Sequence, residues 1–300
     1  MMTRPVIVLG APRAGTSVLG RLLEAHPKLV HVKEPRLVWR YGNDGLSDLL
    51  PPEAARPEVV AYIRKYFEGL LGDTPGARII EKTPSNSLRV PFIEKVFPNA
   101  QYVHVMRDGY EAALSIHWHW HNLTVGVGQG RRGSQKSILR QRLEEAHPSQ
   151  LPHYLGEFFM RLLPNGKGKP RTLWGPRLPG LRRMTNEMDL FEVAAWQWRM
   201  CVERACMDGR PLGPDRYLEF YLDDLNEGRL ESIFEFLDLD YAPQARAFFR
   251  EEFEPAKNLK RRDMLDELSA EQKHGLRRVV EPTATWLSEG QKSNSLVTAP

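Results

Sequence analysis

Cysteine is scarce in this chain: 300 residues contain only Cys201 and Cys206. Two thiols exclude the disulfide framework of a small secreted domain, and they are too few for a cysteine-based zinc site. Long hydrophobic runs are also missing, since no stretch of about 18 apolar residues occurs and no membrane span is expected. The apolar N-terminal stretch is too short for a signal peptide, so we expect a cytoplasmic protein.

Acidic residues are sparse in one part of the chain. Between residues 122 and 184 there are twelve Lys and Arg residues but three acids, although the whole chain carries a net charge of only +4. This segment is rich in glycine and proline, and its basic character indicates either an anionic ligand or a solvated, flexible segment. We predict one domain over residues 1–300, with a basic insertion or lid at about 121–184. No DNA- or RNA-reading module is recognisable, so no nucleic-acid partner is expected.

The N-terminal stretch PVIVLGAPRAGTSVLGRLL, residues 5–23, has the pattern of a strand, a glycine loop and a helix. Its β-branched run ends at Gly10, and its helix opens with Thr16 and Ser17. Such a turn gathers free backbone N–H groups and the positive end of a helix dipole around one point. It therefore predicts a site for a phosphate-like anion; the alternative is an ordinary strand-to-helix turn with a chance pair of glycines.

The loop lacks the lysine of a Walker motif. Gly10 and Gly15 are five residues apart, as in that motif, but Thr16 stands where the lysine belongs and Ser17 where the last hydroxyl belongs. A nucleoside triphosphate needs that lysine across its outer phosphates. Because the loop carries Arg13 instead, we expect an anion with less charge than a triphosphate.

Polar residues follow the predicted strands at the point where each strand ends. The residues after these strand ends include Arg13, Glu34, Lys82 and Arg107. In chain order, the predicted strands are residues 6–8, 29–33, 78–81 and 101–106. Strands that alternate with helices indicate an α/β fold with a parallel sheet and helices on both faces. Since open sheets of this kind bind ligands at the carboxyl ends of their strands, the four polar ends predict one site.

A second anion site is suggested by Arg107 and Ser115, which are eight residues apart across a strand end and the following helix. This spacing can place a guanidinium and a hydroxyl on one side of an anion. The alternative is that Asp108 caps the helix and Ser115 is simply exposed.

Two motifs resemble the nucleotide motifs of sulfotransferases, enzymes that use 3′-phosphoadenosine 5′-phosphosulfate (PAPS). GAPRAGTS resembles their 5′-phosphosulfate loop, and RDGYEAALS resembles their 3′-phosphate motif. HPKLVHVKEPRLVW is similar to a segment of tyrosylprotein sulfotransferases, and EKTPSNSLRVPFIEKVFPNAQYVHVMRDG is similar to that branch and to the wider bacterial and carbohydrate enzymes. YLDDL at 221–225 resembles the family's Tyr-Glu-Asp-Leu region. The resemblance covers most of the chain except about 121–184, and it implies a P-loop-like three-layer sandwich.

The resemblance implies roles for individual residues. Glu34 would be the general base on the acceptor hydroxyl, Arg36 would orient that base or the acceptor, and Lys82 would stabilise charge on the transferred group. Arg107 and Ser115 would hold the 3′-phosphate. The residues expected to hold the phosphosulfate are Pro12, Arg13, Ala14, Gly15, Thr16 and Ser17. No metal is implied.

Further contacts are expected from the C-terminal half of the chain and from a tryptophan side chain. Tyr221 and the basic residues Lys260 and Arg261 are candidates for binding the donor nucleotide. Trp118 offers a stacking face for an acceptor, with core packing as the alternative. The acceptor itself stays open among a small hydroxylated metabolite, a sugar or lipid, and a tyrosyl peptide, and an anionic acceptor would suit the basic surroundings.

Two other functions and two histidine sites remain as alternatives. The chain could be a nucleotide-dependent kinase of the P-loop class, or a non-catalytic nucleotide-binding protein with the same fold. His31 is a reserve general base because it precedes Glu34 closely. His117 and His121 are four residues apart and could chelate a metal on a helix, although no third ligand is evident and helix-end packing explains them as well.

Overall fold

The computed structural model describes residues 4–72, 75–125, 145–154, 173–253 and 262–297. Its centre is a five-stranded parallel sheet with the order β2-β3-β1-β4-β5. The strands are β1 (Val6–Leu9), β2 (Leu29–Lys33), β3 (Arg78–Lys82), β4 (Gln101–Met106) and β5 (Tyr217–Tyr221). Lys82 is in register with Val8 on one side and Lys33 on the other. The carboxyl ends of β1, β2 and β3 therefore share one edge, as the alternation of strands and helices predicts.

Helices of widely different length connect and flank these strands. The first group is α1 (Thr16–Glu24), α2 (Arg36–Arg40), α3 (Pro57–Leu71), α4 (Val90–Val96) and α5 (Gly109–Val125). The second group is α6 (Leu181–Glu187), α7 (Leu190–Gly209), α8 (Glu227–Phe236), α9 (Pro243–Phe248) and α10 (Ala270–Val297). Short 3₁₀ turns lie at Pro52–Ala54, Pro84–Leu88, Pro148–Gln150, Arg210–Leu212, Leu222–Asp224 and Arg262–Leu265, and a π-helical turn lies at Phe249–Phe253. Within the described ranges, none of the helices combines the length and the apolar surface that crossing a bilayer requires.

The sheet is covered on both faces because alternate side chains of a strand point in opposite directions. Ile7 and Leu9 of β1 pack into a core with apolar residues of α3 and α4. Val6 and Val8 pack into another core with apolar residues of α1 and α8. A third core joins α5, α7 and α10. The prediction of a parallel α/β fold with helices on both faces is confirmed.

Two helix boundaries differ from what the local sequence pattern predicts. A single helix is predicted from Ser87 to Phe97, but the structure has the 3₁₀ turn Pro84–Leu88 followed by the separate helix α4. A proline lies in the first turn of each element, Pro84 and Pro91, where its missing N–H is tolerated. The tail after Gly290 is predicted to be disordered, whereas α10 continues to Val297. Extending an existing helix adds one hydrogen bond per residue fixed, which is easier than starting a new helix.

The insertion or lid at about 121–184 stays a prediction. α5 continues through its first residues to Val125, and α6 occupies its last residues. Residues 126–144 and 155–172 lie outside the described residues.

Candidate active site

The loop between β1 and α1 depends on two glycines. Gly10 has a φ of +156°, and a Cβ atom there would lie 2.6 Å from Thr16 Cγ2 and 2.7 Å from the carbonyl oxygen of Val105. Gly15 has a φ of +97°, and its Cβ would lie 2.6 Å from Leu222 Cδ1. Side chains at these positions would force the loop away from β4 and from the end of β5. The sequence spacing that suggests an anion loop therefore also reflects close packing.

Two non-glycine residues of the site adopt the left-handed conformation. Arg13 has a φ of +66°, and Glu34 has a φ of +48°. The only other such residue in the described part of the chain is Asp238. Non-glycine residues pay a conformational cost in this region, and they concentrate at functional sites when the surrounding contacts hold them there.

The start of α1 is open to an anion. Among the described residues, no side chain caps the N-terminus of this helix. Inside the preceding loop, the N–H of Gly10 donates to Ser87 Oγ at 2.9 Å and that of Ala14 donates to the carbonyl of Ala11 at 3.1 Å. The first N–H groups of a helix have no partner within the helix, so this end can bind an anion as the sequence predicts.

Lys82 connects the end of β3 to two neighbouring elements. Its Nζ donates to Glu34 Oε1 at 2.5 Å and to Ser17 Oγ at 3.0 Å. Arg36 Nε donates to the other carboxylate oxygen, Glu34 Oε2, at 3.1 Å, and Arg36 Nη2 donates to the same oxygen. The carboxylate therefore lies between two cations, and one of these cations also contacts the first turn of α1.

This arrangement keeps Glu34 ionised. Burial by itself would raise the pKa of Glu34, but attraction to Arg36 and Lys82 and the hydrogen bonds from both side chains outweigh burial and lower this pKa below 4.5. The side chain of Glu34 is still 29% exposed, whereas that of Lys82 is 7% exposed. A carboxylate that is ionised and reachable from solvent can accept a proton from a hydroxyl group.

Arg107 and Ser115 meet the phosphate loop in different ways. Arg107 Nη1 donates to the carbonyl oxygen of Arg13 at 3.2 Å, while Ser115 Oγ accepts from Arg13 Nε at 3.2 Å. Ser115 is only 2% exposed, so the alternative of an exposed serine is wrong. Asp108 does cap α5, since its Oδ1 accepts from the N–H of Glu111 at 3.0 Å. The second motif is therefore joined to the first through Arg13.

Comparison with known proteins identifies the segment that carries this geometry. Residues 5–150 match the model described as Sulfotransferase family. The matched segment has 146 of the 300 residues, just under half of the chain. It contains β1 to β4 and α1 to α5, and therefore all of the strand-end residues described above.

Two relatives and one solved structure show how far the likeness extends. A putative protein-tyrosine sulfotransferase of Caenorhabditis briggsae is 26% identical over 115 residues, which are 34% of this chain and 39% of that protein. Protein-tyrosine sulfotransferase A of Caenorhabditis elegans is 26% identical over 128 residues, which are 38% of this chain and 33% of that protein. The match thus spans between a third and two fifths of each relative's length. The crystal structure of sulfotransferase STF9 from Mycobacterium avium has a TM-score of 0.51 and 18% identity, and the match covers 96% of this chain and 77% of that one. It has the same fold, which confirms the P-loop-like sandwich.

Several residues near the β1–α1 loop and the start of α5 were not expected from the sequence. Ser87 holds the N–H of Gly10, and the buried Glu111 pairs with Arg107. His119 on α5 packs against Trp174, with ring centroids 4.6 Å apart. Glu111 is only four residues after Arg107, at the start of the next helix, and this short separation is a signal that could have identified the pair. Ser87 and Trp174 are distant in sequence from their partners, and no local pattern identifies them.

The remaining predicted contact residues lie beside the sheet edge or outside the described residues. Tyr221 ends β5, and burial, followed by the nearby Cys206 and Glu219, raises its pKa. Trp118 is 40% exposed on α5. Lys260 and Arg261 lie outside the described residues. The roles of these four residues stay predictions.

His31 and His117, the histidines considered as alternatives, contact residues outside the predicted site. His31 Nδ1 lies 3.0 Å from the carboxylate of Glu24, and a Cβ atom at Gly20, in the middle of α1, would lie 3.0 Å from the His31 ring. The role of His31 as a reserve general base stays a prediction. The ring of His117 stacks on Phe191 with centroids 3.5 Å apart, and burial lowers its pKa to about 4.

One group of three potential metal ligands occurs among the described residues. His104, Cys206 and Glu219 place their ligand atoms within 4.8 Å of one another. Tyr217 Oη lies among them, 2.6 Å from His104 Nδ1 and 3.0 Å from Glu219 Oε2. Arg210 also donates to both oxygens of Glu219. The ligand atoms are thus already engaged in a buried hydrogen-bond network.

Asp48 joins the elements that flank the candidate site. It is 1% exposed and accepts bidentately from Arg40, the last residue of α2, at 3.0 and 3.1 Å. It also accepts from Ser85 Oγ at 2.8 Å and from the N–H of Arg177 at 2.7 Å. One carboxylate therefore ties together α2, which begins with Arg36, the turn that follows Lys82, and the segment around residue 177.

Replacing Asp48 with Asn is expected to lower the free energy of unfolding at neutral pH by about 3–5 kcal/mol, because Arg40 would remain buried without its counter-charge. Burial opposes ionisation of Asp48, but Arg40 and Arg89 outweigh it and lower its pKa. An acid with a lowered pKa stabilises the fold above its unfolded pKa, so the difference between the two proteins should shrink as the pH falls below 3.8. Urea denaturation at several pH values measures this. Glu58→Gln, which alters an exposed pair with Arg56, is the control and should change little; an equal loss in both variants would contradict the prediction.

Proposed function

We propose that the protein is a sulfotransferase that moves the sulfuryl group of PAPS to a hydroxyl group of an acceptor. The observation that carries this proposal is the position of Lys82. Its ammonium group lies between the carboxylate of Glu34, a suitable general base, and Ser17 in the first turn of the anion-binding helix. Transfer to a hydroxyl group requires a base that accepts the hydroxyl proton and a cation that stabilises the leaving phosphate. Glu34 and Lys82 are placed to supply these two groups.

The residues present fit a nucleotide with two separate anionic groups. The glycine loop, Arg13 and the open start of α1 suit a 5′-phosphosulfate, with Thr16 and Ser17 as hydroxyl donors. Arg107 and Ser115 lie on the other side of Arg13 and suit a 3′-phosphate. When bound, PAPS would supply an activated sulfuryl group and a phosphate as leaving group. The absence of a Walker lysine is consistent with a donor of this kind and does not favour a triphosphate.

The chemistry assigned to the protein is positioning, proton transfer and charge stabilisation. Lys82 first releases Glu34 Oε1, and Oε1 then accepts the proton of the acceptor hydroxyl. Arg36 continues to donate to Oε2 during this step. Lys82, Arg13 and the N-terminus of α1 stabilise the negative charge that develops on the leaving phosphate. Glu34, Arg36, Lys82 and Ser17 are already in contact, so the main rearrangement that the reaction requires is the release of Glu34 Oε1 by Lys82.

The acceptor is proposed only as a hydroxyl compound, and an anionic one would suit Arg13 and Arg36. The named relatives are protein-tyrosine sulfotransferases, and their match to this chain includes only part of each protein. We therefore keep a tyrosyl peptide, a sugar or lipid, and a small metabolite as acceptors to be tested. Trp118 offers an exposed aromatic face on α5 for any of them.

The donor assignment is tested by calorimetry with adenosine 3′,5′-bisphosphate and with ATP–Mg²⁺. We expect the bisphosphate to bind more tightly, and Arg107→Ala to weaken its binding by about 10- to 100-fold because charge-assisted hydrogen bonds are lost. Arg183→Ala, at an arginine that is 79% exposed on α6, should leave affinity unchanged. Preferential binding of ATP–Mg²⁺, or an unaltered bisphosphate affinity in a folded Arg107→Ala variant, would contradict the proposal.

A further inference from the structure

Glu111 is a buried acid in the first turn of α5 that the proposed chemistry does not use. Its side chain is 3% exposed, beside a site that we propose binds an anion. A carboxylate in such a place would repel a phosphate unless a cation neutralises it. Its presence therefore calls for a physical explanation.

The carboxylate of Glu111 accepts hydrogen bonds from one side of the Arg107 guanidinium. Arg107 Nε and Nη2 donate to the same oxygen, Glu111 Oε2, at 3.3 and 3.0 Å. On another side, Arg107 Nη1 donates to the carbonyl oxygen of Arg13 at 3.2 Å. The backbone is held as well, since Trp198 Nε1 donates to the carbonyl of Arg107 and Asp108 accepts from the N–H of Glu111. The guanidinium plane is thus fixed by contacts in two directions.

These contacts determine which donors of Arg107 remain. A guanidinium has five N–H groups, and the contacts with Glu111 and Arg13 use three of them among the described residues. One N–H remains on each terminal nitrogen. Two such groups in a fixed plane can bind a phosphate through two oxygens, a geometry that a freely rotating arginine reaches only at an entropic cost.

We infer that Glu111 is a positioning residue that orients Arg107 for a phosphate monoester and thereby makes the site select nucleotides with a second phosphate. The inference rests on the proposed function, since it assigns that phosphate to the 3′ position of the donor. Glu111 acts through Arg107 and does not touch the nucleotide. Arg107 also donates to the carbonyl oxygen of Arg13, which has a left-handed conformation. This hydrogen bond connects the proposed 3′-phosphate site to the β1–α1 loop.

The test compares adenosine 3′,5′-bisphosphate with adenosine 5′-monophosphate by calorimetry in wild type and Glu111→Gln. The amide keeps the shape of the side chain but loses the charge that orients the guanidinium. We expect the affinity for the bisphosphate to fall about tenfold, while the affinity for the monophosphate stays within about twofold. Glu281→Gln is the matched control, because Glu281 also contacts α5, through the hydroxyl of Tyr110 at 3.2 Å.

A double-mutant cycle separates positioning from general damage to the fold. If Glu111 acts through Arg107, Glu111→Gln should have no further effect on bisphosphate affinity in an Arg107→Ala background. Equal weakening of both nucleotides, unchanged discrimination, or additive effects in the cycle would overturn the inference and leave the proposed function standing. A wild-type protein that does not prefer the bisphosphate over the monophosphate would instead overturn the proposed function, and the inference with it.

Discussion

Glu34→Gln is expected to reduce turnover with PAPS by about 10²- to 10⁴-fold, the usual contribution of a general base. The amide has the size of the carboxylate but cannot accept the proton of the attacking hydroxyl. Binding of adenosine 3′,5′-bisphosphate should change little, because Glu34 is assigned to the acceptor side. The measurement is the formation of this bisphosphate from PAPS in the presence of fractionated hydroxyl compounds, with the acceptor detected by its gain in mass.

The pH dependence of the wild-type reaction follows from the pKa of Glu34. Because Arg36 and Lys82 outweigh the effect of burial and lower this pKa below 4.5, Glu34 is ionised at neutral pH. Activity should fall only as the pH drops through this lowered value, where the base becomes protonated. Glu53→Gln, in an exposed 3₁₀ turn, is the matched control and should behave like wild type. Wild-type turnover in Glu34→Gln would show that another group accepts the proton.

Lys82→Ala is expected to have two separate effects. Turnover should fall by about 10²- to 10³-fold, because a preorganised cation next to the leaving phosphate is lost. The acidic limb of the pH profile should also move to higher pH. Burial raises the pKa of Glu34 and Lys82 lowers it, so the pKa rises when Lys82 is removed. The second effect distinguishes a contact with Glu34 from a general loss of activity.

The experiment for Lys82 is a pH–rate profile of the variant beside that of wild type. Lys95→Ala removes an exposed lysine of α4 and should change neither the rate nor the profile. Lys82→Arg keeps a positive charge and should retain the low pKa of Glu34 even where its different shape slows the reaction. A slowed Lys82→Ala variant with an unshifted acidic limb would contradict the role of Lys82 in setting the pKa of Glu34.

The order of strands and loops along the chain was sufficient to predict the parallel sheet and the edge where polar residues gather. Short apolar runs ending in Glu34, Lys82 and Arg107 predict this, because parallel strands connected by helices bring their carboxyl ends to one edge. The glycine spacing likewise predicts a loop beside the start of α1. Helix ends were less predictable: the tail beyond Gly290 has a polar composition, yet it continues α10.

The sequence by itself determined the fold class and the residue types at the sheet edge, since these follow from local periodicity and from the position of each residue in its own element. Only the tertiary structure decided the partners. Ser115 contacts Arg13, Lys82 lies between Glu34 and Ser17, and Asp48 joins α2 to a segment 129 residues away. These contacts depend on strand order and on the angle at which helices leave the sheet, and both arise when distant apolar faces pack together. A local pattern contains no information about which distant face will be its neighbour.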